Sequence, residues 1–277
     1  MKKPIVVIVL MLFALAACGG LETQSQNEPA EPIATPPPVV ATTSPFDIYI
    51  LAAQELDNAD SLLLHTASIS IMRFEDEFLE IGTIGTVAQV IHNPTNIDLK
   101  TDMILLMDDG IEHLQVSYFR NGRLYLVTGE GTGFVMSMPF EEVIEQYNVN
   151  LLEFGENAIL DQSVRELVNG RELSFNLSTS VMSDLITPMI DAIQTIAFEG
   201  MSASELGIDI EFGDMDFVVG LDTNDSIRSV DMWFNMILSE GGEELITWDT
   251  DMRMEIIQVG GVTIEFPDYL DDFIVMD

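Results

Sequence analysis

The chain has 277 residues, a formal net charge of −37 at pH 7 and a hydrophobic fraction of 47%. Only ten Lys and Arg residues stand against 47 Asp and Glu, so the cationic surface that a nucleic-acid backbone requires is missing, and we exclude nucleic-acid binding. The same charge disfavours direct contact with anionic lipid headgroups. The simplest interpretation is a solvated acidic surface that keeps the protein soluble outside the cell.

The first eighteen residues are typical of an export signal. Lys2 and Lys3 precede an unbroken apolar run at 5–17. This run is too short to span a bilayer but has the length of a signal-peptide apolar region. The sequence LAAC at 15–18 resembles the lipobox of bacterial lipoproteins. That resemblance implies cleavage before Cys18 and attachment of acyl chains such as palmitate; the alternative is an ordinary cleaved signal with a chance cysteine.

The segment after Cys18 has the composition of a tether. Residues 19–45 contain six prolines and no aromatic residue, so they cannot form a core. Fully extended, they would reach roughly 80 Å. We therefore predict a signal peptide at 1–17, a lipidated Cys18 with a Pro/Thr-rich tether at 18–45, and a folded domain at 46–277. The predicted location is the cell membrane, lipid-anchored and facing the extracellular side, or the periplasm in a cell with an outer membrane.

The folded domain begins with a helix signal. Ser44 is suited to cap a helix, Pro45 to occupy its first position, and Asp47 to complete a capping box. The pattern predicts a helix of about 18 residues. Its predicted buried face consists of Ile48, Leu51, Ala52, Leu56, Ala59 and Leu63.

Alternating apolar and polar residues then predict strands. Ala67, Ile69 and Ile71 alternate with serines and are predicted to face the core, and residues 83–92 are β-branched and extended. Asn121-Gly122 between two apolar runs is a strong hairpin signal. A further shared face is predicted for Ile97, Leu99, Met103, Leu105 and Met107, closed by a turn at Asp109-Gly110. Pro139 is predicted to open a short helix that ends near Asn148.

The second half repeats this pattern. Leu173, Phe175 and Leu177 form one apolar face, and a helical stripe at 182–197 contains Pro188 as a kink or a restart. Gly213 shifts the alternation by one residue, as a bulge would. The remaining strand segments are predicted at 208–212, 215–219, 230–238, 246–256 and 262–266.

The lipobox, the tether, the leading helix, the methionine-rich strands and the central helices together resemble the LolA/LolB/LppX-like lipoproteins. More narrowly, they resemble lipoproteins of Gram-positive bacteria with that fold. The resemblance covers about residues 44–277. It implies a mainly β domain, an unclosed antiparallel β-barrel of about 11 strands wrapped over the N-terminal helix and two middle helices. It also implies an apolar concavity, which binds acyl chains in the characterised members.

Residues for catalysis or metal binding form no strong motif. His65, His92 and His113 lack helical metal spacing; His92 and His113 are either ordinary surface histidines or a zinc pair across neighbouring strands. The chain has no GxSxG motif and only one cysteine. The acidic pairs Glu141-Glu142 and Asp271-Asp272 are expected in so acidic a chain. We therefore expect no catalytic residue, no metal and no cofactor.

The segment 222–226 carries oxygen ligands at alternate positions, like the start of a calcium loop. It lacks the central glycine and the closing glutamate of that motif, so a hairpin turn is favoured.

Methionine is abundant, with 16 residues in the chain. Because its side chain is flexible and polarisable, it suits either an ordinary core or a pliable lining for an acyl chain. Trp233 has the opposite parity to Met232 and is expected to face solvent. The predicted cavity-lining residues are Met103, Met107, Phe212, Phe217, Met232, Phe234, Met236, Trp248, Met252 and Met254.

Two functions follow from these patterns. The first is a membrane-anchored, non-enzymatic lipoprotein that binds a lipid or another hydrophobic ligand in a half-barrel cavity. The alternative is a packed structural module that binds an envelope protein partner. Whether the inward methionine and phenylalanine side chains enclose space distinguishes the two.

Overall fold

The computed structural model describes residues 43–74, 77–93, 96–107, 112–129, 132–139, 154–180 and 208–276. Within these ranges, an N-terminal helix leads into thirteen strands that all belong to one sheet. Two short 3-10 helices are also described, η1 (Glu156–Ala158) and η2 (Asp268–Asp272). The expected mainly β class is confirmed. The predicted turn at Asp109-Gly110 and the two predicted middle helices lie outside the described residues.

Helix α1 spans Pro45–Asp57. The strands are β1 (Ser61–Phe74), β2 (Glu77–Asn93), β3 (Asn96–Met107), β4 (Glu112–Arg120), β5 (Arg123–Gly129), β6 (Thr132–Ser137), β7 (Ile159–Leu167), β8 (Gly170–Leu177), β9 (Ile208–Phe212), β10 (Met215–Leu221), β11 (Ile227–Glu240), β12 (Glu243–Val259) and β13 (Ile274–Met276).

The sheet consists of two antiparallel meanders that meet at its centre. The strand order is β13-β6-β5-β4-β3-β2-β1-β12-β11-β10-β8-β7, with β9 pairing with β11 alongside β10. Strand β1 pairs with β12 from Leu62 opposite Val259 to Arg73 opposite Thr247. Only the β13–β6 pair is parallel among the described strands. The end strands β7 and β13 are not paired with each other, so the sheet is unclosed, as expected.

Helix α1 begins as predicted and ends earlier. Ser44 and Asp47 form a complete capping box, and Pro45 is the first helical residue. The helix has 13 residues rather than about 18, because the backbone N–H and the side chain of Asn58 both donate to the carbonyl of Gln54. Asn is a poor interior helix residue but satisfies the last carbonyls well.

The buried face of α1 is rotated from the predicted one. Tyr49, Ala52 and Leu56 are buried, whereas Leu51 is 64% exposed. The reason is an aromatic cluster that the helix pattern alone does not reveal. The Tyr49 ring stacks on Phe154 at 5.2 Å between centroids and meets the edge of Phe217 at 5.4 Å. The larger aromatic burial of Tyr49 therefore sets the rotation.

The hairpin predicted at Asn121-Gly122 and the bulge predicted at Gly213 are both confirmed. Asn121 and Gly122 have φ of 53° and 72° and join β4 to β5, as a tight hairpin turn requires. Gly213 interrupts the edge of the sheet between β9 and β10, which both pair with β11. A Cβ on Gly213 would lie 1.8 Å from Asn235 Oδ1, so a larger residue at this break would require the Asn235 side chain to move.

Two strand predictions are wrong, and two strands were not predicted. Residues 262–266 form no strand, because Gly260 and Gly261 have φ of 74° and 69° and turn the chain out of the sheet. Strands β7 and β13, in contrast, have no counterpart among the predicted strands. Ala67 and Ile69 face solvent rather than the core, and the alternating Ser70 is buried instead.

The aromatic cluster generates a stability prediction. Phe217 is fully buried and contacts the rings of Tyr49, Phe154 and Phe175. We expect Phe217→Ala to lower the free energy of unfolding by about 3–5 kcal/mol, measured by urea denaturation. Phe78→Ala is the matched control, since this ring on β2 is 66% exposed; its cost should stay below about 1 kcal/mol. Equal losses from both variants would contradict the described core.

Candidate ligand-binding face

The two faces of the sheet have different chemistry. Successive residues of a strand point to opposite faces, so the register assigns each residue to one of them. Leu64 of β1 lies opposite Val87 of β2 and Ile256 of β12, and all three are buried. We call this the inner face; helix α1 packs on it, mainly against β7, β8 and β11. The opposite side is the outer face.

Seven of the ten predicted cavity-lining residues belong to one packed core. Phe217, Met236 and Met254 are buried members of the cluster that includes Tyr49 and Phe175. The others pack against that cluster: Phe212, Met232, Phe234 and Trp248. These seven side chains therefore pack as ordinary core residues do, and Trp248 also packs against Met72 and Ile81.

The three remaining predicted lining residues are methionines, two of which lie on the inner face outside the apolar clusters. Met103 is buried and Met252 is half-buried, and neither is a member of the apolar clusters. Met107 pairs with Ile81, but its side chain is outside the described part of the chain. Trp233 is exposed at the outer face, as its parity predicts.

Hydroxyl side chains form a continuous group on the inner face between the apolar clusters. Ser70 and Thr250 are hydrogen-bonded at 3.0 Å, Thr101 and Ser117 at 2.6 Å, and Ser68 and Thr83 at 2.6 Å. Each pair joins residues directly opposite on neighbouring strands. We call this group the hydroxyl band; it crosses five adjacent strands and consists of Ser117, Thr101, Thr66, Thr83, Ser68, Ser70 and Thr250, with Gly85 among them.

Most of the band is buried, the Ser68–Thr83 pair is half-buried, and the band keeps hydrogen-bonding capacity that its pairs do not use. A hydrogen-bonded pair of hydroxyls uses one O–H as donor, so the second O–H remains able to donate to another acceptor. Beside the band, Gln89 is only 2% exposed, and its Oε1 has no hydrogen-bond partner in the part of the chain that the structure describes. Such an atom is costly to bury without a partner.

Met103 lies over the centre of the band. A Cβ on Gly85 would come within 2.9 Å of Met103 Cγ and 3.3 Å of Thr66 Oγ1. The Met103 side chain therefore lies over the backbone of Gly85. The small residues thus leave room that a flexible side chain occupies. A side chain with three rotatable bonds can leave such a position at low cost.

A pocket of about 200 Å³ lies at one end of the inner face, between α1 and the adjoining ends of β11 and β12. It is smaller than the roughly 300 Å³ at which ordinary ligand pockets begin. None of the ten predicted lining residues borders it. Its walls are Ala52, Glu55, Leu56, Ser226, Ile227, Arg228 and Val259.

The histidines do not form a zinc pair. His113 on β4 lies in register with Leu105 and Thr83, whereas His92 lies nine residues further along β2. At about 3.4 Å per residue, the two are roughly 30 Å apart. In the described ranges, no group of three or more possible metal-ligating side chains occurs.

His92 instead belongs to an ion-pair cluster. Its Nε2 lies 3.2 Å from Asp98, and the Arg120 guanidinium donates two hydrogen bonds to the same carboxylate at 3.0 and 2.8 Å. The guanidinium also stacks on Phe266, 3.4 Å from the ring centroid. This cluster attaches the segment after β12 to the outer face.

The 222–226 segment is a hairpin turn between β10 and β11, as favoured by its sequence. The Asp222 carboxylate accepts the backbone N–H groups of Asn224 and Ser226, and it also accepts from the Arg228 guanidinium. These contacts, led by that of Asn224, hold the pKa of Asp222 below its ordinary value. Its oxygens therefore serve the turn and an arginine rather than a calcium ion. Asp271 and Asp272 lie exposed within η2, and Glu141-Glu142 is outside the described residues.

The hydroxyl band was missed by the sequence analysis. Alternation of Ile69 and Ile71 with serines predicts that the isoleucines face inward, because burial normally follows hydrophobicity. The opposite outcome depends on each serine finding a hydroxyl on the next strand. Thr250 is 180 positions away from Ser70, so no local pattern could have revealed that pair.

No family model matches the chain, and no curated protein matches its sequence. Among solved structures, the chain is similar to lipovitellin, in a study of lipid–protein interactions, with a TM-score of 0.35 at 8% identity over 75% of this chain. The chain spans only 26% of that lipovitellin chain.

The chain is also similar to two bacterial structures. One is named as an outer membrane lipoprotein-sorting protein domain from Vibrio parahaemolyticus, with a TM-score of 0.23, 8% identity, and coverage of 82% of this chain and 96% of that one. The other is a DUF1329 family protein from Desulfovibrio piger ATCC 29098, with a TM-score of 0.25, 6% identity, and coverage of 79% and 93%. No sequence family accompanies these similarities, so membership of the expected LolA-like group stays a prediction. Since all three TM-scores are below 0.5, the proposals below rest on this chain's own residues.

Across the described segments, no helix combines the length and the apolar character needed to cross a bilayer.

The Asp98 cluster generates a pH prediction. Burial alone would raise the pKa of Asp98, but hydrogen bonds from Arg120 and His92 outweigh it, and the pKa lies below its ordinary value. Because the pKa of Asp98 is lower in the folded state, its ionised form stabilises the fold at pH values above the unfolded-state pKa of about 3.9. This stabilisation is lost as the pH falls through the folded-state pKa.

We therefore expect Asp98→Asn to cost about 1–3 kcal/mol of unfolding free energy at pH 7. The difference from the unsubstituted chain should shrink as the pH falls below about 4. Urea denaturation at several pH values measures it, with the exposed Asp271→Asn as control. A difference that grows on acidification would contradict the ion-pair cluster.

Proposed function

We propose that this chain is an extracytoplasmic lipoprotein, anchored through Cys18, that binds a lipid or another hydrophobic ligand on the inner face of its open sheet without catalysing a reaction. The observation that carries the proposal is the buried hydroxyl band beside Met103 and Met252. Met103 and Met252 are predicted lining residues of the inner face that lie outside the packed core.

The band suits an amphiphile better than a pure hydrocarbon. The methyl groups of its threonines and the neighbouring methionines offer apolar, deformable contact for an acyl chain. The spare hydroxyl protons can donate to carboxylate or ester oxygens, and Gln89 Oε1 can accept from a ligand hydroxyl. Few convergent polar groups on an apolar surface are the usual make-up of a small-molecule site.

Acyl chains on Cys18 would hold the proposed binding site near a membrane. A single acyl chain holds a protein on a membrane only marginally, whereas two or three chains, at about 0.8 kcal/mol per buried methylene, hold it stably. The proline-rich tether then lets the domain act at a distance from the lipid surface. The anchored acyl chains and the proposed ligand are separate molecules, since the first are covalent.

The anchor is tested by substitution. We expect Cys18→Ser to abolish incorporation of labelled palmitate and to move the protein from the membrane fraction to the soluble fraction. Ser44→Ala, which affects only the cap of α1, is the control and should leave both unchanged. Membrane retention of the Cys18→Ser protein without label would refute the lipid anchor.

Ligand binding is tested with a dansylated long-chain fatty acid and by native mass spectrometry of the full chain carrying Cys18→Ser. We expect saturable binding and copurifying acyl species. Ser68→Ala combined with Thr83→Val removes one hydroxyl pair together, which is nearly neutral for folding. It should weaken binding by about tenfold, as expected for one or two lost hydrogen bonds.

The matched control is Ser163→Ala with Ser174→Val, a directly opposed hydroxyl pair on β7 and β8 that lies on the outer face. This variant should keep the affinity of the unsubstituted chain. Absence of both saturable binding and acyl adducts would contradict the proposed function.

A packed interaction module is the second candidate. It is favoured by the seven candidate lining residues that lie in or against one packed core. Under this alternative the hydroxyl pairs only join strands, and neither hydroxyl variant changes fatty-acid fluorescence.

A further inference from the structure

The outer face of β1–β4 carries apolar side chains that the described chain leaves uncovered. Leu114, Ile104, Ile84 and Ala67 lie directly opposite one another on four adjacent strands. Leu114 is 68% exposed, Ile84 is 54% exposed and Ile104 is 37% exposed. With the neighbouring row, we define the outer apolar patch as Ala67, Ile69, Ile84, Ile104, Leu106 and Leu114. Contiguous exposed apolar residues of this kind mark interaction sites.

The outer apolar patch continues a surface that is already an intramolecular interface. On β4–β6, the outer face is covered by the segment around η2, where Leu270 and Phe273 pack on Tyr118 and Val135. Val116 belongs to the edge of that cluster and lies two residues from Leu114 on the same face of β4. The covering segment therefore ends where the outer apolar patch begins.

The opposite border of the patch is acidic. On β12, Arg253 lies opposite Ala67 and Asp251 lies opposite Ile69. On β11, the next strand, Asp231 lies opposite Arg253 and Trp233 lies opposite Asp251. The Arg253 guanidinium contacts Glu255 at 3.0 Å and Asp231 at 3.7 Å, so this cation is already shared. We call Asp231, Asp251 and Glu255 the acidic border.

The acidic border holds more negative charge than its arginine balances. Burial raises the pKa of Asp231; Arg253 opposes this rise, while Asp251, Glu172 and Glu255 add to it. A raised pKa means that the ionised form is disfavoured where it stands. An added cation beside Asp231 would favour its ionised form. Trp233 beside it is 42% exposed and presents an aromatic ring that favours Arg or Lys.

We propose that the outer apolar patch and the acidic border together bind a cationic amphipathic helix of a partner protein. Residues in one row across the strands are about 4.8 Å apart, close to the 5–6 Å between helix positions i and i+3 or i+4. A helix lying along the rows would place apolar side chains on β1–β4 and basic side chains on β11 and β12. This is a helix-on-surface mode of recognition.

The negative charge of the chain favours a cationic helix over a second copy of the chain or an anionic bilayer as the binding partner. A second copy of the chain also carries a net charge of −37, which opposes close approach. An anionic bilayer surface is repelled for the same reason. The proposal stands apart from ligand binding on the inner face, because the two use opposite faces of the sheet.

The test uses the full chain carrying Cys18→Ser and two synthetic peptides of 18 residues. One has Leu at i, i+3, i+4 and i+7 with Lys elsewhere; the other has the same composition in scrambled order. We expect calorimetric binding of the patterned peptide only, weakened at least about tenfold by Ile84→Thr with Ile104→Thr. These substitutions keep β-branched side chains in the strands.

Two further variants keep the test decisive. Leu160→Thr removes an exposed apolar residue on β7, away from the patch, and should leave affinity within about twofold. Asp231→Asn with Asp251→Asn should flatten the salt dependence of binding. The Ile84/Ile104 variant should retain its fatty-acid affinity, which separates this proposal from the inner-face site.

The proposal is overturned by equal binding of both peptides, or by unchanged binding to the Ile84/Ile104 variant. It is also overturned if sedimentation shows a dimer that this variant dissociates, since the patch would then contact a second copy. Binding to phosphatidylcholine vesicles that depends on the same two isoleucines would assign the patch to a lipid surface instead.

Discussion

The pairing of β1 with β12 is the interaction on which the rest of the architecture depends. It joins the β1–β6 meander to the strands of the C-terminal half through a register that runs from Leu62–Val259 to Arg73–Thr247. Without it, each half would expose a long unpaired edge, which proteins avoid. The buried Ser70–Thr250 hydrogen bond lies within this register. A register slip of one residue would move it to the outer face and break it.

In the described part of the chain, a single wide sheet has two faces and few elements that cover them. The described chain covers the inner face with α1 at one side and part of the outer face with the segment around η2 at the other. Between them, the inner face keeps a band of paired hydroxyls and the outer face keeps a patch of exposed isoleucine and leucine. The hydroxyl band is polar within apolar surroundings, and the outer apolar patch is apolar beside carboxylates. They are also far enough apart, on opposite faces, to be altered independently.

Local sequence signals predicted local structure well. The capping box at Ser44, the hairpin at Asn121-Gly122 and the buried face of Leu173, Phe175 and Leu177 all depend on residues close together in sequence. The inward orientation of Ser70 depends on Thr250, and the rotation of α1 depends on Phe154 and Phe217, so neither was predictable from periodicity. For the same reason, most predicted cavity-lining residues proved to be core: alternation identifies the inward face but not which part of it is packed. In β1, the serines rather than the isoleucines face inward, so partners on neighbouring strands can outweigh the hydrophobic pattern.

The central claim is that a hydrophobic ligand occupies the inner face along the hydroxyl band. Photo-crosslinking with a diazirine-bearing fatty acid, followed by peptide mapping of the full chain, tests it most directly. The account predicts adducts on the β3 and β12 peptides that contain Met103 and Met252, lost on competition with unlabelled fatty acid. Adducts confined to the outer-face residues Ile84 and Leu114, or labelling that unlabelled fatty acid does not compete away, would contradict it.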